Sequence, residues 1–174
     1  MIHIRTLKED ECHRIKEIDA SQYIDKAWRE VDGHRQLVAI NYLDPDWPNG
    51  FQEHLDGLKD TLKNEGLVLG AFDGNTLVGV LSLKRPTFGR RNTYVLLDQL
   101  FISKNMRGQG IGHSLFFKAA ETARLWNANK FYICAGSAEE TINFYMTIGC
   151  QTVDELNQEL YEQDPRDMHL EYAL

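Results

Sequence analysis

The sequence predicts a mixed α/β domain, a central sheet with helices on both faces. Three observations carry this. The chain has 174 residues, which fits one domain of the usual ~100–200. Helix-like and strand-like patterns alternate along it in the order strand, helices, hairpin, strand, helix, strand, helix, strands. One segment, residues 94–102, is nearly continuous apolar sequence interrupted only by Asp98 and Gln99, as in a strand covered on both faces. Hydrophobic residues at 43% and charged residues at 26% are the balance of a packed protein and exclude wholesale disorder.

Ile2, Ile4 and Leu7 mark a short first strand. Thr6 and Glu9 then have capping-box spacing, and a helix over residues 9–21 would bury Ile15 and Ile18. Residues 22–50 are less regular: Tyr23, Trp28, Tyr42 and Trp47 sit among polar groups, and residues 44–50 are dense in turn formers. This part reads as a variable, partly mobile segment. Phe51, Leu55, Leu58 and Leu62 restore helical spacing, with Asn64-Glu65-Gly66 as the stop. Residues 67–72 and 76–83 form two strands around Asp73-Gly74-Asn75, a hairpin signal. After the strand at 94–102 and a glycine-rich turn, Ile111, Leu115, Ala119, Ala123 and Trp126 mark one face of a long helix. A buried strand at 131–135, a helix at 139–148 ending on Gly149, and strands near 150–155 and 168–172 complete the chain.

Charge and cysteine usage bound the function. Lys plus Arg is 19 against 26 Asp plus Glu, net −7, which argues against nucleic acid and anionic membranes as partners. Residues 151–174 hold seven acids and one base, so six of the seven excess negatives are local to the C-terminal end. Lys84, Arg85, Arg90, Arg91, Lys104 and Arg107 flank the strand at 94–102 and its glycine-rich turn and are compatible with a locally positive site for an anionic ligand. Cys12, Cys134 and Cys150 are odd in number and too widely spaced for a metal or redox pair. With no signal-peptide core and no apolar run near the ~18 residues of a membrane span, a cytoplasmic protein with reduced thiols is expected.

The most informative stretch is Arg107-Gly108-Gln109-Gly110-Ile111-Gly112, between an apolar strand and a helix. Glycines let successive backbone N–H groups converge, and a helix N-terminus adds partial positive charge, so the turn suits a diphosphate. Arg107 adds charge-assisted bonds. The alternative is a tight strand-to-helix connection with no ligand. No Gly-Lys-Ser/Thr follows, and the glycine spacing is not that of a dinucleotide fingerprint.

At these residues the sequence resembles the GNAT superfamily of acyl-CoA N-acyltransferases. Residues 107–112 match its Gln/Arg-x-x-Gly-x-Gly/Ala signature, and Leu100-Phe101-Ile102 is similar to the end of its acyl-CoA strand. Thr141-Ile142-Asn143-Phe144-Tyr145-Met146-Thr147-Ile148-Gly149-Cys150 is similar to its Ala-x-x-Phe-Tyr-x-x-x-Gly-Phe ending. The likeness covers residues 66–153. Two positions depart from it: Ala138 stands where many members carry a cofactor-contacting Asn, with Ser137 adjacent, and Cys150 replaces an aromatic residue.

The resemblance implies one domain over residues 1–174, with a mixed, mostly antiparallel sheet splayed at the acyl-CoA strand and residues 22–65 as a variable acceptor-side segment. It implies acetyl-CoA as co-substrate, with the pantetheine arm lying in the splay. Leu100, Phe101, Ile102, Arg107, Gly108, Gln109, Gly110, Ile111, Gly112, Ser137 and Tyr145 would be its contacts. Direct attack of an amine on the thioester needs no acyl-enzyme, so the cysteines have no role in it. Tyr145 matches the position that assists the leaving thiolate; the alternative is a core aromatic. Asp98 is the candidate base for the acceptor ammonium, or else a strand residue facing the cleft or pairing with a neighbouring base. His54, His113 and His169 have suitable chemistry but no motif. No His or carboxylate spacing suggests a metal.

Tyr23, Trp28 and Trp47 are candidates to surround a cationic acceptor, or aromatics capping the core. The acceptor expected first is a small-molecule primary amine, with a protein Lys or N-terminus second and a non-catalytic acyl-CoA sensor as the reading from another class. The final strands offer edges for a homodimer.

Overall fold

The computed structural model describes residues 1–174. Its strands are β1 (Ile2–Thr6), β2 (Gln22–Val31), β3 (His34–Asp44), β4 (Leu67–Asp73), β5 (Thr76–Leu83), β6 (Tyr94–Ile102), β7 (Lys130–Ala135), β8 (Gln151–Thr152) and β9 (Met168–Ala173). Its α-helices are α1 (Phe51–Lys63), α2 (Ile111–Leu125), α3 (Glu139–Ile148) and α4 (Gln158–Gln163). Seven strands make one sheet in the order β1-β4-β5-β6-β7-β9-β8, while β2 and β3 pair apart from it. Only β6 and β7 run parallel; every other pair is antiparallel.

Alternation along β4 divides the apolar side chains between two layers. Leu69 joins Leu81, Val95 and Phe131 under Ile111, Leu115, Phe116 and Ala119 of α2. Val68, with Phe72 and Val80, packs instead under Leu55 and Leu58 of α1 and under Cys12 and Ile15. Helices therefore cover both faces, as the alternating pattern requires.

The first helical segment differs from the expectation. It is a 3₁₀ stretch, Glu9–Glu17, that stops short of Ser21. Thr6 does not cap it, because β1 continues through Thr6, which pairs with Leu69. The start moves two residues on, and Glu11 accepts from the Lys8 N–H at 3.0 Å while pairing with Arg5 at 2.7 Å. Ile15 and Ile18 are buried, as expected.

The larger correction concerns residues 22–44. They form a long hairpin, β2 against β3, around Val31-Asp32-Gly33-His34. Asp32 and Gly33 both have positive φ, 50° and 79°, which gives the turn the twist that paired strands need. Its Asp-Gly signal is in the sequence but is masked by charged residues on both sides, because most of this ribbon faces water. The Trp28 N–H donates to the Ser137 carbonyl at 2.8 Å and Arg29 donates to Ser137 Oγ at 2.6 Å, fastening the hairpin beside the end of β7.

The acidic end of the chain has internal partners. Glu155 accepts from the backbone N–H groups of Arg90, Arg91 and Asn92, and Arg91 pairs with Asp154 at 3.6 Å. The Arg91 side chain thus serves this end of the chain, to which Arg90 contributes its backbone N–H. Glu171, 1% exposed, accepts from Lys130 at 2.6 Å and from the Tyr94 hydroxyl at 2.5 Å. Burial alone would raise its pKa, but Lys130, Tyr94, the Asp154 N–H and Gln151 bring it down to about 2. No helix is long and apolar enough to cross a membrane.

Candidate functional site

Strands β6 and β7 pair only over Tyr94–Leu97 and Lys130–Ile133. Beyond Leu97 they separate, while β6 stays paired with β5 through Ile102. The break coincides with a bulge: Ser82 faces Gln99 and Leu83 faces Leu97, so Asp98 is the extra residue without a partner. The Ser103 N–H donates to Val78 O at 2.8 Å, which sets the alternation beyond the bulge. By that alternation Phe101 turns its peptide groups toward β5, whereas Leu100 and Ile102 turn theirs into the gap. Arg107 Nε takes the Ile102 carbonyl at 2.9 Å, consistent with this assignment.

The gap opens into a cavity of about 780 Å³ lined along one side by Leu100, Phe101, Ile102, Arg107, Gly108, Gly110, Ile111 and Gly112. Gly108 and Gly110 have φ of 75° and 80°, and a Cβ at either would meet open space, so backbone conformation and not crowding demands glycine. The turn delivers the chain into α2, whose first N–H groups lack intrahelical acceptors. With the partial positive charge of the helix start and the Arg107 guanidinium, this end of the cavity has the chemistry to hold an anion. Burial lowers the Arg107 pKa, Asp19 and Glu140 counter this, and a guanidinium remains charged throughout.

Tyr145 of α3 lines the same cavity and is 7% exposed. Burial raises its phenol above the usual range, so it is a proton-bearing hydrogen-bond donor at neutral pH. Cys134, also on the wall, is a thiol pushed up to about 12 by burial, with Asp167 and Asp98 adding to the effect. A thiol in that state is a poor nucleophile.

Asp98 sits in the cavity wall, reachable by water yet surrounded by protein in a concave site. This desolvation raises its pKa; Lys84 and His54 pull it back, and Asp60 adds to the rise. A carboxyl group whose basicity is raised in this way is suited to accept a proton.

The structure also brings to the cavity wall His54, one of the three histidines with suitable chemistry, and Gln99, its hydrogen-bonding partner. His54 is on α1, and both its ring nitrogens are engaged: Nε2 with the Pro48 carbonyl at 2.5 Å and Nδ1 with Gln99 Oε1 at 3.0 Å. Gln99 Nε2 donates back to the His54 carbonyl at 3.2 Å. Gly57, one turn further along α1, makes room for this contact, since a Cβ there would lie 2.8 Å from Gln99 Nε2. Nothing in the local sequence marks His54, because its partners are 6 and 45 residues away.

Of the remaining sequence candidates, His113 lines the cavity, whereas Tyr23, Trp28, Trp47, Gln109, Ser137 and His169 fall outside its wall. Tyr23 is 52% exposed and its hydroxyl donates to Asn41 at 3.1 Å on the hairpin. Trp28 packs against the main core with its indole N–H buried and unpartnered. Trp47 is buried behind the wall, its ring 4.7 Å from Phe101 and 5.1 Å from His54. The Ser137 hydroxyl is taken by Arg29, and the Gln109 side chain donates to the Asn105 carbonyl at 3.3 Å.

The family model for the acetyltransferase (GNAT) family matches residues 37–149. No curated protein matches the chain. Among solved structures, nourseothricin acetyltransferase superposes with a TM-score of 0.73 at 18% identity, covering 99% of this chain and 98% of that one. A putative streptothricin acetyltransferase from Bacillus anthracis, solved with acetyl coenzyme A, gives 0.70 at 17% identity over 100% and 99% of the two chains. An aminoglycoside 6'-N-acetyltransferase complexed with coenzyme A gives 0.57 at 15% identity over 72% and 82%.

Proposed function

We propose, from the premise that the chain belongs to the GNAT acetyltransferase family, that it moves the acetyl group of acetyl-CoA onto a primary amine of a small molecule. The observation that carries this reading is the unpaired stretch of β6 running from Asp98 to the glycine-rich turn. An extended thioester fits there, with its diphosphate on the N–H groups of residues 108–112 and its acyl end near Asp98. The similar structures that bind acetyl-CoA or coenzyme A, and the full-length likeness to two antibiotic acetyltransferases, support the same reading.

In this mechanism Asp98 takes a proton from the acceptor ammonium, directly or through water, and frees the nitrogen lone pair. The amine attacks the thioester carbonyl in a ternary complex. Backbone N–H groups in the gap, from Leu100 and Ile102, stabilise the oxyanion that forms. Collapse breaks the C–S bond and completes the amide. Tyr145 donates a hydrogen bond to the departing thiolate; with its phenol raised by burial it polarises and does not surrender its own proton. The attacking nitrogen loses its second proton as the amide forms, and that proton ends on the CoA thiol through water, while the first passes from Asp98 to solvent, so one proton is released overall.

Calorimetric titration with acetyl-CoA followed by thiol release over a panel of amines, peptides and N-termini tests this. Saturable binding with release on small cationic amines is the expected result. Release on peptides alone would move the acceptor to protein, binding without release would leave an acyl-CoA sensor, and no binding would remove the reading.

A further inference from the structure

His54 lies between two carbonyl oxygens. Pro48 O can only accept a hydrogen bond, so it requires a hydrogen on Nε2. The oxygen facing Nδ1 belongs to the Gln99 amide, whose orientation is set by its other end: Nε2 donates to the His54 carbonyl. Turning that amide over would place two oxygens together at the His54 carbonyl and remove this bond. Both ring nitrogens therefore face acceptors, an arrangement satisfied by the imidazolium and by neither neutral tautomer.

From this geometry we infer that His54 is a positioning residue, a fixed cation that ties the Pro48 turn to β6 and holds Asp98 in its ionised form. The inference rests on Asp98 acting as the base. Asp98 carries the bulge of β6 next to Gln99, which His54 grips. The groups around the carboxylate are Lys84 after β5, His54 and Asp60 on α1, and the Cys134 thiol on β7. Asp60 opposes ionisation and Lys84 and His54 favour it. His54 is not a competing base, since neither nitrogen has a free lone pair. Trp47 and Phe101 pack against the ring, which keeps it in place without adding charge.

The test has two parts. In the wild-type protein, ¹⁵N-histidine NMR at neutral pH is expected to show both His54 nitrogens carrying hydrogen; a neutral tautomer overturns the inference without need of a variant. His54→Gln keeps a donor but removes the charge, and Asp98 is then titrated by ¹³C-carboxyl NMR, its signal assigned with Asp98→Asn. The expected result is an upward shift of the Asp98 midpoint and of the acid limb of kcat/KM together. The KM for the amine should rise ~3–10-fold with acetyl-CoA affinity unchanged. An unmoved midpoint overturns the inference whatever the activity. A midpoint that moves while the acid limb stays supports the electrostatic link and overturns Asp98 as base, so the two failures are distinguishable.

Discussion

The two ends of the cavity are built on different principles. The glycine-rich end consists almost wholly of backbone: N–H groups of one continuous turn, aimed by two positive-φ glycines and a helix start. The Asp98 end consists of side chains drawn from distant segments, with Pro48, His54 and Gln99 joined by hydrogen bonds and Trp47 packed behind them. A backbone site tolerates changes of side chain but not of φ. A side-chain site can change its ligand by one substitution, so the first end suits an invariant co-substrate and the second a variable acceptor.

Substitutions should divide along this line. The largest effect is expected at Asp98. Asp98→Asn should lower kcat/KM for the amine by about 10²–10³-fold in thiol-release kinetics, while calorimetry shows unchanged acetyl-CoA affinity. Because burial raises the Asp98 pKa, the acid limb of the wild-type profile should lie above the ordinary aspartate range, activity falling as pH drops through it. A limb within that range would mean that desolvation does not govern the group.

Gly110→Val comes next. A β-branched residue at φ 80° is strained, and relaxing it misaims the turn, so the acetyl-CoA Kd should rise about 10–100-fold. Tyr145→Phe should reduce kcat by about 10-fold with the acetyl-CoA Kd unchanged, since one hydrogen bond to a developing thiolate is lost. Equal loss in binding and turnover would instead make Tyr145 a packing residue.

The smallest effect on catalysis is expected at Glu171, which lies outside both ends. Glu171→Gln should cost about 3 kcal/mol of stability in denaturant melts, because Lys130 loses its buried partner, with kcat unaltered at permissive temperature. The pH sign follows from the lowered carboxyl. The stabilisation from Glu171 is complete above the ordinary glutamate range and disappears as pH falls toward about 2.

The same contrast explains what the sequence disclosed. The turn at residues 107–112 was legible because its backbone demands leave local marks, glycines at the two positive-φ positions just before the helix, whereas Tyr145 was singled out by the family resemblance and lies on the cavity wall. The strand at 94–102 was legible from its apolar run, and its interruption at Asp98 coincides with the bulge. His54 was not legible, since its role exists only once α1 packs across β6. Aromatic content drew attention to Tyr23, Trp28 and Trp47, but the fold turns them to the surface, the core and the back of the wall. The hairpin at 22–44 escaped because a ribbon wet on most of its surface has little apolar alternation to read.

Titrating acetyl-CoA into Asp98→Asn and Gly110→Val side by side tests the division of the cavity most directly. The account predicts wild-type affinity for Asp98→Asn and strongly weakened binding for Gly110→Val. Intact binding in Gly110→Val, or its loss in Asp98→Asn, would contradict a cofactor held by the turn and an acceptor served by Asp98.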